Sequence, residues 1–202
     1  MFAEPDAFFR EQAKAPGMAA STGCVFGATV ASLLGPGYVV GRLVREAAAG
    51  ADVFLVIGGS LGLLSSSLTL LLLWVAYAIT FHAVSWRLGG TAEFRTVFFL
   101  TGFGFLPKLF AGVVGLSAVV VATETVGIPG DPSLLTERVA AINRRPVITV
   151  ARLVGVVFIL WSGMLWTFAV RHATGLPLRR VVIPTVPPTL LSIAWELRHI
   201  GG

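Results

Sequence analysis

From Val53 to Trp86 the chain carries no Asp, Glu, Lys or Arg. About 20 apolar residues already cross a hydrocarbon layer roughly 30 Å thick, so this run must tilt, project, or begin loosely near Gly58-Gly59. Its core is expected over 61–82, with Trp86 at the interface. Similar runs lie at 18–40, 96–122 and 147–170. Only 12% of the 202 residues are charged, 55% are hydrophobic and the mean hydropathy is +0.86. A water-facing domain has about a quarter of its residues charged. The expected fold is therefore an all-α integral membrane helical bundle: one transmembrane domain over 15–202, preceded by an interfacial segment at 1–14. A fifth span at 181–195 is barely long enough and contains Pro184, Pro187 and Pro188. A re-entrant or interfacial segment is the competing reading there.

The net charge of +5 and pI near 10.3 do not point to nucleic acid, because the basic residues stand singly or in pairs at the ends of apolar runs. That placement suits lipid head groups and orientation control. With five spans the arginines and lysines divide evenly between the two sides, so charge alone sets no orientation. Glu4, Asp6 and Glu11 precede the first run where a secretory signal would be basic, and the run is expected to stay as a helix. Residues 4–14 read as a short helix with Glu4 as cap and Phe8 and Phe9 on its apolar side, or else as a solvated tail. Cys24 has no partner for a disulfide.

The third run holds the chemically odd residue. Lys108 sits about a dozen residues inside it, beside Pro107 and just after Gly102 and Gly104. Proline removes a helical hydrogen bond, so a kink near mid-run is expected. A cation at that depth costs on the order of 3 kcal/mol or more and marks a functional candidate. The alternative is that it satisfies carbonyls freed by the kink or snorkels toward the head groups. No apolar run holds Asp or Glu well inside it, and the nearest acids in sequence, Glu93 and Glu124, stand at run ends. Lys108 and Pro107, with His82 at the end of the preceding run, make up the candidate polar site.

Other features read as packing. Gly23 and Gly27, Gly37 and Gly41, and the Gly102/Gly104 pair let helices approach closely. The hydroxyls at Ser65, Ser66, Ser67 and Thr69 are expected to bond back to their own helix, with no glycine-serine protease motif around them. Residues 132–143 suit a short amphipathic helix capped by Asp131. Arg152 lies within snorkelling reach of the interface. No HExxH, cysteine cluster or Walker loop is present, and His82, His172 and His199 sit at separate run ends. Neither cofactor nor metal is expected, and nothing in the sequence argues for an enzyme.

Four features together resemble one family. They are the opening PDAFF (5–9), the FHAVSWRLGGTAEFRTV junction (81–97), the GFGFLP segment (102–107) and the five-span layout. The chain is similar in these to the Yip1-domain membrane proteins and looks like a small prokaryotic-type member. The resemblance implies a five-helix bundle with a cytoplasmic N-terminus and an exoplasmic C-terminus. Eukaryotic relatives serve vesicle traffic with Rab-type GTPases. This chain has only about 15 residues before its first span and lacks their Asp-Leu-Trp-Gly-Pro segment, the nearest counterpart being Leu34-Gly35-Pro36, so a GTPase partner is doubtful. The expected function is a non-enzymatic scaffold or organiser in the cell membrane, touching lipids and other membrane proteins or copies of itself. The alternative is a transporter or channel component that attracts a small anionic solute with Lys108 at the Pro107 kink.

Overall fold

The computed structural model describes residues 4–47, 53–126 and 135–198. All regular structure among them is helical: α1 (Pro5–Lys14), α2 (Met18–Ala47), α3 (Val53–Arg87), α4 (Phe94–Phe103), α5 (Leu106–Val126), α6 (Leu135–Asn143), α7 (Pro146–Thr174) and α8 (Leu178–Arg198). Four stretches are long and apolar enough to cross a membrane: Met18–Arg42, Ile57–Arg87, Phe94–Val126 and Pro146–Thr174. The third combines α4 and α5. The cap expected at Asp131, the start of the loop helix at Pro132 and His199 lie outside the described residues.

The third run is broken rather than kinked. α4 ends at Phe103 and α5 begins at Leu106, with Pro107 as the second residue of α5. Through the break the amides of Gly104, Phe105 and Lys108 reach back three residues, to the carbonyls of Thr101, Gly102 and Phe105, at 3.0–3.1 Å. Proline is tolerated in a first helical turn, where its missing N–H would have had no partner. Neighbouring helices bind the carbonyls of α4 as well. The Ser21 hydroxyl donates to Phe99, the Trp74 indole to Phe98 at 3.0 Å, and the Trp166 indole to Thr101 at 3.1 Å. A break inside an apolar run persists only where protein surrounds it with polar partners, and these three side chains bind the α4 carbonyls just ahead of it.

Glycine brings the helices together at this point. A Cβ at Gly102 would strike Ser21, one at Gly104 the Trp166 indole, and one at Gly112 the Ala31 carbonyl of α2. Around the break, Val25, Trp74, Phe81, Val97, Phe105 and Trp166 form the main buried cluster.

At the end of the bundle that holds α1, Gly89 takes φ +91° and turns the chain from α3 into α4. Left-handed Gly175 closes α7, its N–H bonding the Arg171 carbonyl at 2.9 Å. Arg180 of α8 donates to the Leu88 carbonyl at 3.1 Å. The apolar side of α1 faces protein: Phe9 is wholly buried against Leu100, Phe103, Leu165 and Ala169, and Phe8 meets Phe103 edge-on at 5.1 Å.

The three prolines of the last run do not break it, and α8 is continuous. The side chains of Thr185, Thr189 and Ser192 donate to the carbonyls four residues before them at 2.8–2.9 Å. Thr185 meets Thr167 of α7 at 3.1 Å, Thr189 packs on Gly163, and Glu196 lies over Gly155. Partners that rise along α8 fall along α7, so α8 runs antiparallel to α7 along the bundle rather than across its end.

Candidate functional site

Small residues create the site. Ala111, Gly115 and Ala118 on α5 recur at the helical repeat, and Ala151 and Gly155 on α7 face them across a cavity of about 450 Å³. Lys108 projects into this space from the first turn of α5, Arg152 from α7 and Glu196 from the last turn of α8. A second cavity of about 440 Å³ opens on the other side of the Lys108 and Glu196 side chains. Tyr77 and Ser192 line it, their hydroxyls 3.2 Å apart. The Arg152 guanidinium donates to Asn143 Oδ1 at 3.3 Å, and Phe158, which lines the first cavity, clusters with Phe110 and Trp161, their ring centres 5.9–6.3 Å apart.

The sequence pointed to no deep carboxylate near Lys108, and the structure corrects this. Glu196 follows the apolar run at 181–195 and is far from Lys108 in sequence. The continuous α8 instead brings it back to the level of Gly155, where its Oε1 lies 3.7 Å from the place a Cβ on that glycine would occupy. Among the described residues, no ion pair within 4.0 Å and no side-chain hydrogen bond closes on either Lys108 or Glu196. Both charges face the cavity.

His82 is not part of this arrangement. It sits near the end of α3, edge-on to Phe94 at 5.6 Å. Phe94 opens the third run, and Lys108 lies roughly 20 Å further along at about 1.5 Å per residue. Pro107 adjoins Lys108 and sets the start of α5. Of the remaining glycines, Gly27 would meet Leu109 at 3.1 Å with an added Cβ, whereas Gly23, Gly37 and Gly41 face open space. Ser66, Ser67 and Thr69 bond back to their own helix at 2.8–2.9 Å.

A second polar cluster, which no motif signals, lies at the α1 end. Asp6 accepts hydrogen bonds from Arg10 in its own helix, from Arg171 Nη1 at 3.0 Å and from His172 Nε2 at 2.8 Å. The His172 contact, and after it Arg10, holds the Asp6 carboxyl below the ordinary carboxylate range. At the opposite end Arg42 pairs with Glu124 at 2.8 Å and joins α2 to α5.

A model of the Yip1 domain matches residues 1–197. The chain belongs to the Yip1 domain family. No curated protein and no solved structure matches it. With four apolar helices of crossing length, this Yip1 domain chain is a multi-pass membrane protein.

Proposed function

We propose that this Yip1 domain protein is a non-enzymatic organiser of the cell membrane, acting through helix packing and lipid contact, with its N-terminus in the cytoplasm. The observation that carries the reading is the outer face of α2. Gly23, exposed Val30 and Gly37 recur every seven residues, and so do exposed Leu34 and Gly41, the spacing by which one helix seats another. An added Cβ at any of these three glycines meets nothing, so the face is low and open to a neighbouring helix. Its occupant is a second copy or another membrane protein. Lipid covers the exposed leucines and valines of α3, α7 and α8.

The test is cross-linking in the native membrane from single cysteines in a Cys24→Ala background. Val30→Cys should give a specific adduct that Gly37→Leu abolishes, while Val157→Cys on α7 should give none. Absence of any Val30 adduct ends the proposal. The charged cavity supports a second reading, transport of a small anion past Lys108. In reconstituted vesicles that reading requires a solute flux lost on Lys108→Leu, and vesicles that pass no solute dismiss it.

A further inference from the structure

A cation and a carboxylate that share one cavity in an apolar bundle normally close on each other, because each alone is costly to bury. Lys108 and Glu196 do not close, and both line the same space from two different helices, α5 and α8. Arg152 adds a second cation and Asn143 an amide. A purely anionic guest would lie against Glu196, and a purely cationic one against Lys108 and Arg152. A guest carrying both signs satisfies all three. The volume of about 450 Å³ lies within the range of small-ligand sites, and the aliphatic walls at Val119, Ile148 and Ile159 accept an apolar portion.

We infer that the cavity between Lys108, Arg152 and Glu196 binds a zwitterion bearing a phosphate and an ammonium group, the headgroup chemistry of an aminophospholipid. The phosphate faces Lys108 and Arg152, and the ammonium faces Glu196. This inference goes beyond the organiser reading and does not depend on it, since binding is read on the purified chain.

The test is calorimetric titration of the detergent-purified, monodisperse protein with four probes: dihexanoyl phosphatidylethanolamine, dihexanoyl phosphatidylglycerol, free phosphoethanolamine and inorganic phosphate. The expected result is saturable binding of phosphatidylethanolamine, about tenfold or more tighter than phosphatidylglycerol. Lys108→Leu and Glu196→Gln should each weaken it about tenfold or more, as removal of a partner from a desolvated charge pair does. The exposed Lys14→Leu should leave it unchanged. Gly155→Leu fills the space beside Glu196 with every charge intact and should abolish binding, which keeps the test alive if a charge variant fails to fold. Free phosphoethanolamine binding as tightly as the lipid supports the zwitterion site and assigns its guest to solution, whereas binding of the lipid alone assigns it to the membrane. Equal affinity for phosphatidylglycerol, an unaffected Glu196→Gln, or no saturable binding of either amine-bearing probe overturns the proposal.

Discussion

Gly104 shows how a single hydrogen atom in place of a side chain fixes the centre of this bundle. It caps α4, and the Trp166 indole lies where its Cβ would be. Trp166 in turn is buried and donates to Thr101 across the break. Gly104→Ala should therefore force the indole out of place and cost about 1–3 kcal/mol, the usual range for overpacking. Gly115→Ala, whose Cβ meets nothing, is the matched control and should shift stability little. Thermal unfolding in detergent compares the two, and equal midpoints would contradict this account. Trp166→Phe removes both the indole hydrogen bond to Thr101 and part of a buried ring, and the same assay should register a loss of at least about 1–3 kcal/mol.

At the scale of elements, α1 is tied to α7 by two different forces. Phe9 is buried apolar surface that pH does not touch, while Asp6 is a titrating anchor bonded to His172, Arg10 and Arg171. The folded-state value of Asp6 lies below its ordinary one near 3.8, so its contribution is fully present above that value and is lost as pH falls through the lower folded one. The protection factors of the α1 amides, with the intrinsic pH dependence of exchange divided out, should thus hold steady from neutral pH to about 4 and then fall, while those of α4 and α7 do not. Asp6→Asn should show the faster exchange already at neutral pH, and exchange in this variant as slow as in the parent chain would refute the anchor. The existence of α1 was legible in the sequence from Glu4, Pro5 and the pair of phenylalanines. Its docking was not, because Asp6 and His172 stand at opposite ends of the chain and neither lies in a motif. The same reason hid Glu196. Periodicity and hydropathy describe one helix at a time, whereas the cavity is a product of register between α5, α7 and α8. The break at Gly104 was half legible: Pro107 signalled a disturbance, but the carbonyl partners Ser21, Trp74 and Trp166 come from three other helices.

For the molecule as a whole, α8 decides how many times the chain crosses the membrane. By length and apolarity four stretches qualify, and α8 does not join them because its arginines and prolines dilute an otherwise aliphatic run. Its packing argues the other way. Thr185, Thr189 and Glu196 meet successive levels of α7, itself a 29-residue helix about 43 Å long, so α8 lies beside a spanning helix rather than over its end. Its exposed residues Leu190, Leu191 and Trp195 would meet water if α8 were outside the bilayer, at about 25 cal/mol for each Å² of apolar surface. Five crossings place Lys14 and Arg198 on opposite faces of the membrane, and four place them on the same face. Membrane-impermeant thiol labelling of Lys14→Cys and Arg198→Cys, each in Cys24→Ala, distinguishes the two in sealed vesicles of known orientation. The expected outcome is that only one of the two is labelled from a given side. Labelling of both from one side would contradict the packing of α8 along α7 and, with it, the placement of Glu196 at the level of Lys108.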